Sequence, residues 1–439
     1  DGLLDEVTGL VEWPVPLIGQ IDAKFMDLPP EVRELSMKIN QKYFALRDAL
    51  GQPAPYFAFV ANLAATDGGA AIIAGNERVL RARLSDARHF WDLDLKTALD
   101  LLLPRLEKIT FHAKIGTQRA RVDRIAARAA RIANLLGADA KQAEWAGLLC
   151  KADLVTGMVG EFPELQGVMG GYYAEKNPRG WDGALVGAAI RTHYQPKGPA
   201  DEVPSAPVSV SLALADKLDT LAEFFRIGEK PSGSGDPYAL RRAALGVIRI
   251  ILENDLRLNL KPLLGNDELF DFIIERLRVK LRGEGQRFDV LDAVLAAGAD
   301  DDLVRVMKRV AALGEMLSSE DGKNLLAAYK RAANILKIED AKDGPHLATL
   351  IAGSLSSPEE SNFRDMLASL QQDTKHHLAA ENYALVVAEL AKLRGTVDAF
   401  FEKVTINDQM PELRRNRLQL LAAFRDTVHQ IADFSRIEG

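Results

Sequence analysis

The chain has 439 residues, of which 47% are hydrophobic and 27% charged, with a net charge of −7 and one cysteine. That length predicts two to four domains with cores of their own, and excludes wholesale disorder, a fibrous repeat and a disulfide scaffold. No uncharged apolar run approaches the ~20 residues that span a bilayer, so no membrane is expected. A lone Cys150 fits a reducing, cytoplasmic compartment, and the opening Asp1-Gly2-Leu3-Leu4, lacking Met, reads as an internal start within a longer polypeptide.

Residues 1–65 read as mixed structure, with strands at 42–47 and 56–60 flanking a turn at 49–53. From Gly75 onward the period becomes helical: Leu80, Leu84, Ala87 and Trp91 make an apolar stripe, with Arg78, Arg81 and Arg88 off it. Residues 117–136 are the clearest amphipathic helix. Val122, Ile125, Ala129, Ile132 and Leu136 line one face, and Gly137 supplies the stop. Further helices are expected around 140–157, 182–194 and 208–225. The run Lys230-Pro231-Ser232-Gly233-Ser234-Gly235-Asp236-Pro237 is the best linker. Beyond it the chain reads as helical, with stripes at Leu245, Ile248, Leu252 and Leu256 and at Leu413, Leu420, Leu421 and Phe424.

The net charge hides local asymmetry. Residues 101–150 hold nine Lys and Arg against four Asp and Glu, whereas residues 251–300 hold seven against ten. Arg121, Arg124, Arg128 and Arg131 form a basic stripe in which Asp123 is the one acid. Such a stripe is either an ordinary solvated face or a face that tracks phosphates, for which the Arg fork is suited. Phosphate-loop, H-E-x-x-H and G-x-S-x-G patterns are missing. Cys150, among Leu148, Leu149 and Lys151, reads as a buried, inert thiol. His112, His193, Asp153 and Asp216 are a loose set that either caps and bridges helices or holds a divalent ion.

Several long strings resemble the beta subunit of bacterial heterotetrameric glycyl-tRNA synthetase. They are LLDEVTGLVEWP at 3–14, GNERVLRARL at 75–84, DLVT at 153–156 running into MVGEFPELQG at 158–167, ALADKLDTL at 213–221 and DPYALRRAA at 236–244. The resemblance covers the whole chain, with the family's amino-terminal part absent. It implies a mainly α, multidomain fold: an α/β tail of the body at 1–104, an HD-like helical domain at 105–230 and a DALR-like anticodon-binding helical bundle at 236–439. RAANIL at 331–336 and LRRNRL at 413–418 are similar to DALR segments. In the HD comparison, Arg121, Ala152-Asp153 and Asp216 fall at the metal-ligand positions; the two histidines are gone, which speaks against bound metal.

The function implied is tRNA handling within an aminoacyl-tRNA synthetase. The chain would bind tRNA(Gly) and position it, with adenylation, ATP and Mg in a separate alpha subunit, an alpha2beta2 assembly, and neither cofactor nor DNA on this chain. The expected tRNA-binding residues are Arg78, Arg81 and Arg88; Arg121, Arg124 and Arg128; and Arg331, Asn334, Lys337, Arg414 and Arg417. Arg414 and Arg417 are expected to share a face away from Leu420 and Phe424, and Asn334 to read a base, cap or pack. The alternatives are an HD-type metal-dependent phosphohydrolase and a helical scaffold that only docks the alpha subunit.

Overall fold

The structure, a computed structural model, describes residues 2–298, 300–348 and 355–438. The chain forms two compact units that divide between Glu229 and Lys230.

The first unit opens with helix α1 (Gly2–Leu10), strand β1 (Val15–Gln20), helix α2 (Pro30–Gln41), strands β2 (Phe44–Arg47) and β3 (Pro53–Ala61), and helix α3 (Ala70–Asp94). The strands form an antiparallel sheet in the order β1-β3-β2, with Gly19 opposite Phe57. A side chain at position 19 would collide with the Phe57 ring, so glycine lets β1 pass beneath it. The β2–β3 turn is set by Asp48, whose Oδ1 accepts from the Leu50 and Gln52 amides, both at 2.8 Å. The expected α3 stripe is its buried face: Leu80, Leu84, Ala87 and Trp91.

The rest of this unit is helical apart from a short hairpin, β4 (Thr110–His112) and β5 (Gly116–Thr117), that the periodicity did not reveal. Its helices are α4 (Leu99–Leu102), α5 (Gln118–Leu136), α6 (Ala140–Leu149), α7 (Gly157–Glu161), α8 (Val168–Lys176), α9 (Gly183–Thr192) and α10 (Pro207–Arg226). Helix α5 starts at Thr117, whose hydroxyl accepts from the Ala120 amide at 3.2 Å, and stops at left-handed Gly137. Gly147 brings α6 against the Ala126 backbone, where a Cβ would have no room. The helix expected over 140–157 breaks after Leu149 into a 3-10 turn at Ala152–Val155. Asp94, ending α3, accepts from the Gly157 and Met158 amides and the Tyr173 hydroxyl, each at 2.9 Å, tying the α/β part to α7 and α8.

The second unit is helical: α11 (Leu240–Glu253), α12 (Leu260–Leu264), α13 (Asp267–Gly283), α14 (Phe288–Ala296), α15 (Leu303–Ser318), α16 (Glu320–Asp343), α17 (Pro358–Ala379), α18 (Tyr383–Ala391), α19 (Leu393–Lys403) and α20 (Pro411–His429). Tyr329, Phe363, Phe400, Phe424 and Phe434 form its aromatic core, with Phe363 and Phe400 rings 4.9 Å apart. The α11 stripe is corrected. The buried face is Leu240, Ala244, Val247, Ile248 and Ile251, and Leu256 lies past the helix end. Small Ala244 forms part of that face, and Gly246 is buried beside it, so large residues alone misplace the burial. Among the described residues no helix is long and apolar enough to cross a membrane.

Candidate nucleic-acid interface and a buried charge cluster

The arginine stripe of α5 does not face solvent unpaired. Arg121 is 8% exposed, and its Nη2 donates to Asp216 Oδ1 at 2.9 Å and to the Thr220 hydroxyl at 3.0 Å. Its guanidinium also stacks 4.0 Å over Phe111. Arg124 grips both oxygens of Asp219 at 2.8 and 3.0 Å, and Arg128 stands 3.8 Å from the same carboxylate. Glu223 lies 3.9 Å from Arg124. Arginines at 121, 124 and 128 on α5 thus meet acids at 216, 219 and 223 on α10, the two rows having identical spacing. The expectation of a cation row without acidic neighbours is overturned: the neighbours are some 95 residues downstream.

Behind Arg121 lies a cluster that the expected ligand set only half anticipates. Lys151, wholly buried, sits 3.0 Å from Asp216 Oδ1 and 2.7 Å from His193 Nε2, and its ammonium lies 3.8 Å from the Tyr194 ring centre. His193 Nδ1 is 2.5 Å from the Ile190 carbonyl, which can only accept. That carbonyl puts the proton on Nδ1 and leaves Nε2 to accept from Lys151. Burial, then the Lys151 charge, holds the His193 pKa well below its ordinary value, so the ring is neutral. Burial alone would raise Asp216, but Lys151 and Arg121 outweigh it and hold the carboxyl far below the usual range. Burial works against the Lys151 ammonium too, and Asp216 overcomes it.

Asp153 is corrected: it does not join Arg121 and Asp216. Its Oδ2 accepts from the Gly167 and Gly170 amides at 2.6 and 2.9 Å, while Oδ1 is buried without a partner. Burial pushes its pKa up to about 6. With two cations on Asp216 and Asp153 spent on backbone, these residues do not fit a divalent ion. A lysine ammonium stands beside Asp216 instead. Cys150 is buried, its thiol raised to about 12 by burial.

On α3, Arg81 clamps Asp22 at 2.8 and 3.1 Å, and Arg88 clamps Asp27 at 2.6 and 2.9 Å. Both pairs tie α3 to the segment between β1 and α2. They lie at the surface, where water screens such pairs and lets partners exchange. Arg78 is exposed and makes no ion pair among the described residues.

In the second unit Arg417 is corrected outright. It is 5% exposed, not outward-facing. It pairs with Glu360, and donates to Asp408 at 2.7 Å, the Thr405 carbonyl at 2.7 Å and the Ser356 hydroxyl at 3.0 Å. Arg414 pairs with Glu339 and Asp343. The remaining three candidates lie together on successive turns of α16. Arg331, Asn334 and Lys337 are all exposed, and the Arg331 guanidinium rests 4.4 Å over Phe401. Asn334 lies mid-helix, so it caps nothing, and its exposed amide makes no hydrogen bond among the described residues.

Residues 1–296 match the family described as glycyl-tRNA synthetase beta subunit. The chain belongs to that family. Residues 325–437 match the DALR anticodon binding domain, which takes in α16 from Leu325 onward and all of α17 to α20. A glycine–tRNA ligase beta subunit of Rhodospirillum centenum is 52% identical over 457 aligned residues, covering all of this chain. That of Phenylobacterium zucineum is 54% identical over 443, again covering the whole chain. The chain spans 64% and 65% of those beta subunits.

Residue-level reasoning missed Lys151 and the acids that hold the arginines. Two signals for them existed. One is the matched spacing of 121/124/128 and 216/219/223, and the other is a Lys directly before Ala152-Asp153 in an otherwise apolar run.

Proposed function

We propose that this chain is the tRNA-holding part of a glycine–tRNA ligase beta subunit. It binds tRNA(Gly) in the cytoplasm and presents the acceptor end to an alpha subunit, in an alpha2beta2 assembly, where glycine and ATP with Mg are joined. The reading rests on family membership, and the observation that carries it is the Arg331–Asn334–Lys337 face. Two cations and a free amide, exposed on one helix within the DALR match, suit phosphate contact beside a base edge. In the first unit, Arg78, Arg81 and Arg88 border an exposed surface that RNA can reach by exchanging carboxylates for phosphates.

Arg121, Arg124, Arg128, Arg414 and Arg417 act as structural ties in this reading. Residues 105–230 are an HD-like scaffold in which Lys151 takes the place of a metal, so phosphohydrolysis is not its work. Holding the RNA at a distance from the chemistry makes delivery of its terminal ribose a matter of proximity.

The test combines the chain with an alpha subunit and end-labelled tRNA(Gly) and maps ribose protection. Protection of the anticodon loop, lost on substituting Arg331 and Lys337 together with Ala, supports the reading. An anticodon loop equally cleaved with and without protein rejects it.

A further inference from the structure

The second unit contains a cavity of about 410 Å3 between the start of α15 and the α17–α18 corner, lined by Gly298, Asp300, Arg305, Arg309, Glu381 and Tyr383 among others. Its charges are unevenly spent. Arg305 grips both oxygens of Asp300 at 2.8 and 2.7 Å, and Arg257 grips both oxygens of Glu381 at 2.8 and 2.6 Å. Arg309 has no such clamp. It stands 3.7 Å from Asp300, beyond hydrogen-bond reach, with its guanidinium 5.2 Å from the buried Tyr383 ring. Its Nε is buried with no partner. A buried, unpaired donor calls for an acceptor. Glu381 meanwhile sits at the corner with φ +55, a left-handed conformation few non-glycine residues adopt, which holds a carboxylate at the rim where a relaxed turn would use glycine.

A carboxylate acceptor beside guanidinium donors is the complement of one nucleobase edge. Cytosine presents an amino donor, then the N3 and O2 acceptors, and carboxylates are the side chains that accept from its amino group. Single-stranded loops deliver such edges, since their bases splay out and are read on the Watson–Crick side. The cavity has room for one extruded nucleotide. The genetic code places two adjacent cytosines in every glycine anticodon.

We propose that the Asp300–Arg305–Arg309–Glu381 cavity receives one of these cytosines, with Arg309 donating to N3 and O2 and Glu381 accepting from the amino group. The proposal rests on the anticodon-binding reading above and sharpens it. It also extends base recognition to α15, which precedes the DALR match at residues 325–437.

The experiment measures filter-binding Kd of the chain for tRNA(Gly) transcripts carrying cytosine, uracil or pyrimidin-2-one at the second or third anticodon position. Each is tested with the wild type, Arg309→Gln and Arg309→Lys. At one of the two positions the wild type is expected to lose about 10- to 100-fold for uracil. Pyrimidin-2-one, which lacks only the amino group, is expected to lose about tenfold. Arg309→Gln should bind the cytosine transcript about tenfold more weakly and discriminate against uracil less than the wild type does, keeping only the share that Glu381 supplies. Arg309→Lys, keeping charge without the fork, should restore little of it. Asp300 keeps its Arg305 clamp in both variants, and unchanged circular dichroism checks the fold.

A wild type indifferent to both anticodon positions overturns the anticodon reading and this proposal with it. Discrimination that survives intact in Arg309→Gln, or full wild-type affinity for pyrimidin-2-one, overturns the cavity assignment alone. An equal loss for every transcript, with a shallower salt dependence, means that Arg309 binds a phosphate, which overturns the cytosine assignment.

Discussion

Two rows of cations, one on α5 and one on α16, look alike in sequence and differ in everything that follows. Arg121, Arg124 and Arg128 meet Asp216, Asp219 and Glu223 from α10, whereas Arg331 and Lys337 project from α16 with exposed side chains. The difference lies in what a distant helix places opposite, because burying a guanidinium is tolerable only with carboxylates supplied across the interface. The α5 row therefore reports on how the first unit is held together, and the α16 row on what the second unit can touch.

The sharpest way to break this comparison is at Asp216. Its removal strands Arg121 and Lys151 together in a buried site, and breaking such a pair costs about 3–5 kcal/mol. Asp216→Asn should show that loss in urea unfolding followed by tryptophan fluorescence. All four tryptophans, at 13, 91, 145 and 181, lie in the first unit, so the signal is local to it. A loss below about 1 kcal/mol, the scale of surface pairs, would return the α5 row to the pool of RNA-binding candidates.

The pH dependence of the same unit separates Asp153 from its neighbours. Its folded pKa of about 6 exceeds the ordinary 3.8, so the folded state holds this proton more tightly. The stability it contributes is complete below 3.8 and lost as pH rises through 6, about 3 kcal/mol in all. His193 opposes it: its folded pKa is depressed, so stability is lost as pH falls below 6.5. The wild type compared with Asp153→Asn cancels the histidine. From pH 7 to pH 4 the difference in unfolding free energy should move by about 2.4 kcal/mol in the wild type's favour. A flat difference would show that Asp153 ionises freely in the folded unit.

Within the second unit, Arg417 repeats the α5 logic. Arg417→Met leaves Glu360 buried, although the carboxylate still accepts from the Ser356 amide at 2.6 Å and caps α17. About 2–3 kcal/mol should be lost, read by circular dichroism because residues 230–439 contain no tryptophan. An unchanged midpoint would place Arg417 back on the surface.

How much of this was legible follows from range. The α3 and α5 stripes are visible because apolar spacing within one helix encodes burial directly, and Thr117 and Gly137 mark the α5 ends by local chemistry. The α11 face is harder, since Ala244 carries too little hydrophobic signal to compete with Leu245 and Leu252. The partners of Arg121, Arg417 and Lys151 are tertiary facts, separated by 95, 57 and 65 residues. Local charge counting sees the cations and not what neutralises them. Exposure of Arg331 and Lys337, by contrast, follows from their place off the Leu325, Tyr329, Ala332 and Leu336 stripe.

The smallest expected effect on stability is the most telling for function. Arg331→Ala and Lys337→Ala, singly or together, remove exposed side chains without partners in a buried network, and surface changes of this kind stay within about 0.5 kcal/mol. Loss of the Arg331 contact with Phe401 is a packing cost, made by an exposed guanidinium over a buried ring. If the α16 face follows RNA phosphates, each substitution should flatten the slope of log K against log salt by roughly 0.7–0.9 in tRNA binding. Arg124→Ala should do the reverse: a measurable stability loss, through buried Asp219, with the salt slope untouched. Should Arg124 flatten the slope while Arg331 and Lys337 leave it alone, pairing with a carboxylate would no longer separate structural arginines from RNA-binding ones in this chain.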